Sequence, residues 1–355
     1  MEKLPFDQFS ESYSNRWNSI TLARNETEKV KVKLIKLFLG EGELNEDTDL
    51  VLFGSIARGE RNDESDVDWT LLVDGQAFPS HRETAHRIRK TIIDGGLKSP
   101  SPTGFFGRPS FSHDLVHFIG GENESYSYLS QRVLLILESI PLSINAKSGQ
   151  AYERVINCII SRYLEDDNIF IRSGRGAKIP RFLFNDIVRF WRTMCVDFAW
   201  KQKEQEGEKW AIRNIKLRLS RKLIFVSGIL MLYECYLLSS SFNNDSNIDE
   251  KRNQMMKLLK EYISLTPLDI LAKVLPNINK ETTIKIFDAY NSFLSLLQDS
   301  DKRKHLEELK QENANNDAIF IEGKKIGYDF EDALTEIFFN NENDLYKFIK
   351  TYGVF

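Results

Sequence analysis

The chain has 355 residues, 41% of them hydrophobic and 28% charged, with a net charge of −4. That length fits two domains of ordinary size, and the composition is that of a soluble globular protein. The acidic balance excludes a surface that binds nucleic acid as a whole, so any basic site must be local.

The opening MEKLPFDQFSES lacks the apolar run of a signal peptide. Residues 11–39 read as a helix that stops at Gly40. Residues 49–53 form a short apolar run closed by Gly54, the pattern of a strand entering a turn. Residues 67–73 predict a second strand, ended by Asp74-Gly75. Helical spacing returns over 80–93. The stretch 94–112 reads as a loop, because it holds four glycines, three prolines and four serines. Residues 113–119 alternate and predict a third strand, ended by Gly120-Gly121.

From 125 onward apolar residues recur at helical spacing almost to the end. The polar stretches 243–253 and 300–317 read as connections or exposed ends. Residues 328–355 predict a terminal helix pair docked on the core through Phe330, Leu334, Ile337, Phe338, Leu345, Phe348 and Ile349. The greasiest run, 223–238, is interrupted by Ser227, Gly228 and Glu234. It is too short to span a bilayer and predicts a buried core helix. The expected fold class is therefore α+β: a small mixed β-sheet domain with helices over 1–145, then a larger all-helical, substrate-binding domain over 146–355. With no leader and no spanning segment, the expected location is the cytoplasm, away from membranes.

Cys158, Cys195 and Cys235 lie far apart and show neither a disulfide framework nor zinc spacing. Each sits in an apolar run, so each is expected to be a small buried hydrophobe. The five histidines show no metal-binding spacing.

The chemistry concentrates in Gly54-Ser55-Ile56-Ala57-Arg58-Gly59-Glu60 and in Ser65-Asp66-Val67-Asp68. Gly54 has no Cβ, so backbone N–H groups there can approach a phosphate, and Ser55 adds a hydroxyl. The P-loop pattern is absent. Asp66 and Asp68 are two apart at a strand start, which puts both carboxylates on one face. Such a pair repels itself unless a cation joins it. Mg²⁺ favours carboxylate and phosphate oxygens and needs few protein ligands, so the pair reads as a metal site completed by a triphosphate. Asp114, in the predicted third strand, is the candidate third carboxylate. Arg58 lies near the turn and could meet the phosphates or pair with Glu60.

Together these residues resemble the DNA polymerase beta superfamily of nucleotidyltransferases. The wording GSIARGERNDESDVDWTLLV is similar to the minimal nucleotidyltransferases and to the uridylyltransferase and adenylyltransferase enzymes of nitrogen signalling. The close match covers about 20 residues. The resemblance implies transfer of a nucleotidyl group from a nucleoside triphosphate to an acceptor hydroxyl on a protein, tRNA or small molecule. It implies two metal ions, Mg²⁺ with Mn²⁺ possible, held by Asp66, Asp68 and Asp114. Three rivals are a synthase of a cyclic or linear oligonucleotide messenger, a toxin-like or regulatory enzyme that modifies tRNA ends, and a catalytically decayed nucleotide-sensing module.

A second constellation lies in 175–222, where 13 Lys or Arg face 5 Asp or Glu, a net of +8. Arg213, Lys216 and Ser220 share a helical stripe beside an apolar face. The expectation is that they clamp the β- and γ-phosphates, against the alternative of a solvated face. Phe105-Phe106-Gly107, at the centre of the long loop, is a candidate lid or base-stacking element, against the alternative of an ordinary surface loop.

Overall fold

A computed structural model describes residues 3–39, 44–100, 104–166, 179–204, 209–242 and 247–353. The chain divides into two compact units. One holds the sheet and comprises Ala23–Ser173 with Ile248–Thr266. The other is helical and comprises Met1–Leu22, Gly174–Asn247 and Pro267–Phe355. The architecture is thus α+β, with a small mixed sheet early and a larger helical part. The units interleave along the chain rather than meeting at one break near 145.

In the sheet unit, β1 (Thr48–Leu52) and β2 (Trp69–Val73) pair antiparallel, with Leu52 opposite Trp69 and Thr48 opposite Val73. β3 (Pro109–Phe111) runs parallel to β2, and β4 (Ile140–Pro141) pairs with β1, giving the order β3-β2-β1-β4. Strand alternation divides the side chains. Leu50, Leu52, Trp69, Leu71 and Val73 pack against Leu34 and Phe38 of α2 (Asn18–Phe38) and Ile88 and Ile92 of α4 (Pro79–Asp94). Between β1 and β2 stands the one-turn helix α3 (Gly54–Arg58), which Gly59 ends in the left-handed region at φ 72°.

The other sheet face is covered by α7 (Gln150–Asp166), which packs on β1 and β2. Asp49, buried in β1, caps it by accepting from the N–H groups of Gly149 at 2.6 Å and Tyr152 at 2.8 Å. Before it come α5 (Ser112–His117) and α6 (Tyr126–Leu137). Fully buried Arg132 of α6 ties them together: it donates to the Tyr163 hydroxyl at 2.6 Å and the Leu115 carbonyl at 3.4 Å, and pairs with Glu124.

The helical unit opens with α1 (Pro5–Glu11) and continues with α8 (Arg181–Glu204) and α9 (Trp210–Lys216). A π-helical turn, Leu217–Arg221, joins α9 to α10 (Lys222–Ser240). After α11 (Ile248–Ile263), which belongs to the sheet unit, come α12 (Pro267–Val274), α13 (Lys280–Gln298), α14 (Ser300–Glu308), α15 (Gln311–Ala314), α16 (Ala318–Phe338) and α17 (Asp344–Tyr352). α10 is the buried core helix expected over 223–238. Trp210–Ser240 as a whole is long and apolar enough to cross a membrane, but its apolar window is 61% buried within the fold. α16 and α17 are the expected terminal pair, with Phe330, Ile337, Leu345 and Phe348 buried.

Two expectations are corrected here. Residues 113–119 do not form a strand: the third strand is Pro109–Phe111, and α5 follows it directly. Of the cysteines only Cys235 is buried; Cys195 is half-buried and Cys158 is exposed. Cys158 lies on the side of α7 away from buried Val155, Ile156, Ile159 and Ile160, so helical period carries it outward.

Candidate active site

The site starts where β1 ends. The Phe53 N–H donates to the Asp68 carbonyl at 2.8 Å, which extends the β1–β2 ladder by one step toward the loop. Gly54 then turns the chain at φ 66°. A side chain there would collide with the Asp68 carboxylate, whose Cγ would lie 3.3 Å from a built Cβ. The absence of a side chain at Gly54 therefore lets the acid sit directly on the turn. Ser55 is half-buried at the start of α3, and its carbonyl accepts from the Glu60 N–H at 2.8 Å.

Asp66, Val67 and Asp68 alternate as expected for extended chain: Asp66 is exposed, Val67 is fully buried and Asp68 is half-buried. The Val67 N–H donates to the Lys98 carbonyl at 2.8 Å, and Val67 joins the core beneath the sheet. The two aspartates thus project together on the face away from that core. They immediately precede β2 rather than beginning it.

Arg58 does not reach outward to a phosphate. Its Nε donates to Glu60 Oε2 at 2.8 Å, and its Nη1 lies 2.8 Å from Glu138 Oε1. All three side chains are at most 8% exposed. The Glu138 oxygens make no hydrogen bond among the described residues, so that second pairing is ionic contact without hydrogen-bond alignment. Glu138 follows the end of α6. Sequence reasoning did not single it out, because its partner lies 80 residues away and a lone Glu carries no pattern. The cluster locks the C-terminal end of α3, whose N-terminal end presents Gly54 and Ser55.

Asp114 is not brought to the aspartate pair. β3 is parallel to β2 and Phe111 stands opposite Val73, so the chain leaves β3 at the far end of β2 from Asp68. Five strand positions separate Asp68 from Val73, about 16 Å at ~3.3 Å per residue. Asp114 lies in the first turn of α5, and a turn of helix advances only ~5 Å, too little to return. Its carboxylate instead accepts a hydrogen bond from Tyr128 of α6. Burial first, and then this acid, push the Tyr128 phenol upward. Among the described residues no group of three or more His, Cys, Asp or Glu could hold a metal ion.

Part of the long loop does lie at the site. Phe106 packs on Phe53 at 5.3 Å between ring centres and on Phe105 at 4.4 Å. The Gly107 N–H donates to the Trp69 carbonyl at 2.7 Å. The Phe105-Phe106 pair is therefore anchored beside the Gly54 turn.

Arg213, Lys216 and Ser220 lie in the helical unit. Arg213 and Lys216 are half-buried. Ser220 is buried, and its hydroxyl donates to the Lys216 carbonyl at 3.3 Å, so it satisfies its own helix rather than a ligand. The stripe drawn at α-helical spacing is also turned, because the π-helical turn begins at Leu217 and inserts extra backbone between Lys216 and Ser220. In α8 the basic segment resolves partly into an intrahelical pair, Arg189 with Asp186 at 3.1 Å.

Residues 32–95 match the family described as nucleotidyltransferase domain. The match runs from the last third of α2 through β1, α3, the aspartate pair and β2 to the end of α4. No curated protein matches the chain.

Proposed function

We propose a reaction from the premise that this chain is a nucleotidyltransferase of the polymerase beta type: it transfers a nucleoside monophosphate from a nucleoside triphosphate to an acceptor hydroxyl, and pyrophosphate leaves. The observation that carries the reading is the seating of the Asp68 carboxylate on the side-chain-free turn at Gly54. That contact puts an anionic ligand within one residue of the turn that would receive the triphosphate.

Asp66 and Asp68 fit a divalent cation. Both are carboxylates on one side of the chain, and Asp66 is open to solvent. Two carboxylates with phosphate oxygens make a ligand set that suits Mg²⁺ or Mn²⁺. Bound there, such ions would neutralise phosphate charge and lower the pKa of an acceptor hydroxyl. Gly54 and Ser55 would place the triphosphate through backbone N–H groups and the Ser55 hydroxyl. The Arg58–Glu60–Glu138 cluster would hold α3 still, so that the turn and the carboxylates keep their spacing. Phe106 and Phe105 would bound the site on the β3 side. Arg213 and Lys216 remain a proposal as cations for the leaving pyrophosphate; Ser220 and Asp114 are left out, for the reasons of burial and register given above. A cytoplasmic location agrees with this substrate.

The test is incubation of the protein with each α-labelled nucleoside triphosphate and Mg²⁺, with cell protein and total RNA as separate acceptor pools. Wild type should release pyrophosphate and pass label to one pool. Asp66→Asn and Asp68→Asn should do neither while keeping the wild-type melting temperature. A double variant with wild-type transfer would overturn the reading.

A further inference from the structure

Beyond the aspartate pair, the sheet unit carries a groove of about 1000 Å³ along its edge strand. β3 forms one wall and the N-terminal half of α4 with the preceding loop forms the other. Three arginines line it, Arg82, Arg89 and Arg108, against the single carboxylate of Glu83. Between them runs a row of rings. Phe78, 57% exposed, meets His81 edge-on at 5.7 Å, and His81 meets Phe111 at 6.0 Å. In a chain of net charge −4, this is a local reversal of sign interleaved with aromatic faces.

One end of the groove adjoins β2, the strand that follows the carboxylates. Gly107, on its wall, bonds the carbonyl of Trp69, the residue after Asp68. Adjacent strands lie ~4.8 Å apart, so the groove begins one strand-width from β2, which the Asp66–Asp68 segment leads into. Arg108 links the two. Its carbonyl accepts from the Thr70 hydroxyl at 2.6 Å, and the register that sets Pro109 opposite Leu71 sets Arg108 opposite Thr70. Thr70 shares its sheet face with Asp68, so Arg108 rises on the carboxylate face, while Pro109 and Phe111 take the α4 face. Gly107 and Arg108 thus set one end of the groove against the start of β2, next to the segment that carries Asp66 and Asp68.

We propose that this groove binds single-stranded RNA and delivers its terminal hydroxyl to the Asp66–Asp68 site, which names the acceptor class for the transfer proposed above and rests on that reading. Arginines track a phosphate backbone, and exposed rings stack on unpaired bases. An acidic peptide would use the arginines but leave the ring row idle. In the step itself the RNA hydroxyl oxygen bonds to the α-phosphorus, the α–β bridging P–O bond breaks, its electron pair leaves on pyrophosphate, and the hydroxyl proton passes to solvent.

The experiment is fluorescence anisotropy of the full chain with a labelled 12-nucleotide single-stranded RNA at two salt concentrations, with duplex RNA and polyglutamate as competitors. Wild type should bind the single strand, more weakly at high salt. Arg82→Glu should weaken binding about tenfold or more, and Phe78→Ala at least about fivefold. Both residues are exposed, so melting temperatures should stay at wild type. Asp68→Asn should bind RNA as wild type does while transferring nothing. That variant separates the two ideas: RNA binding with no transfer by any variant would sink the function and leave the groove, whereas transfer to protein or a small molecule with no RNA binding would sink the groove alone. Binding unchanged in Phe78→Ala and Arg82→Glu, or equal competition by polyglutamate, would overturn the proposal.

Discussion

The Asp68 carboxylate rests against the bare α-carbon of Gly54, at the point where β1 turns into α3. A methyl group at Gly54 meets two penalties. The left-handed φ costs an L-residue about 1–2 kcal/mol, and the methyl must push the carboxylate away. Gly54→Ala should therefore abolish transfer while lowering stability modestly. Gly59→Ala is the control. It carries the same type of φ at 72°, but its new methyl would meet only Arg24 Cγ at 3.3 Å. It should lose similar stability and keep most of its transfer activity. Equal activity losses in the two variants, measured by label transfer beside thermal melting, would refute the specific role of the Gly54–Asp68 contact.

Arg58 separates a positioning role from phosphate binding. Removing it strands Glu60 and Glu138 in the interior, and breaking a buried pair from one side costs about 3–5 kcal/mol. Arg58→Ala should fall steeply in melting temperature, and Arg58→Ala with Glu138→Gln should recover part of the loss. A phosphate contact predicts the reverse pattern, in which KM for the triphosphate rises and melting is unchanged.

Asp114 should be dispensable for chemistry. Asp114→Asn should keep near-wild-type turnover and KM, because α5 leaves the sheet at the end away from Asp68. Its effect should appear on Tyr128, whose phenol would titrate at lower pH once the neighbouring charge is gone. Phenolate absorbance in difference spectra reads this out; a large fall in turnover would return Asp114 to the site.

Asp49 sets a pH dependence. Burial raises its carboxyl, and the N–H groups of Gly149, Tyr152 and Ala151 and the charge of Arg154 offset that only in part. The folded protein therefore holds this proton more tightly than the unfolded chain. The associated stability is complete below the ordinary carboxyl range near ~3.9 and is lost as pH rises through the folded value. Asp49→Asn cannot titrate. The melting temperature of wild type relative to Asp49→Asn should decline as pH climbs from the ordinary carboxyl range toward neutrality. A difference that stays constant across that window would show that Asp49 keeps its ordinary affinity for protons.

The first two strands, the Gly54 turn and the side of the chain that carries the aspartates were readable from the sequence because their signals are local. Strand runs end at Gly54 and Asp74-Gly75, and Asp66 and Asp68 fall two apart, so alternation alone puts them on one side. The third strand was missed because it has three residues and contains Pro109, while 113–119 mimics alternation over too short a span. Leu115, Phe118 and Ile119 also fit helical spacing, and in α5 the Leu115 side chain is buried while its carbonyl accepts from Arg132. The stripe through Ser220 failed for a different reason: one π-helical turn shifts the register of everything after Lys216. The Arg58–Glu138 pairing and the interleaving of the units depend on distant contacts, which no local pattern encodes.

The N-terminal aromatic cluster has a consequence for synthesis. Phe6, Phe9 and Trp17 pack on Phe287, the Phe6 N–H bonds Asp269, and the Trp17 indole bonds Asp288. Their partners are encoded more than 250 residues downstream, so at ~5–20 residues per second the first helix waits on the order of tens of seconds for a surface to bury against. During that time the three large rings have only one another for native cover, a substrate for chaperones and a point at which slow translation would raise the risk of aggregation.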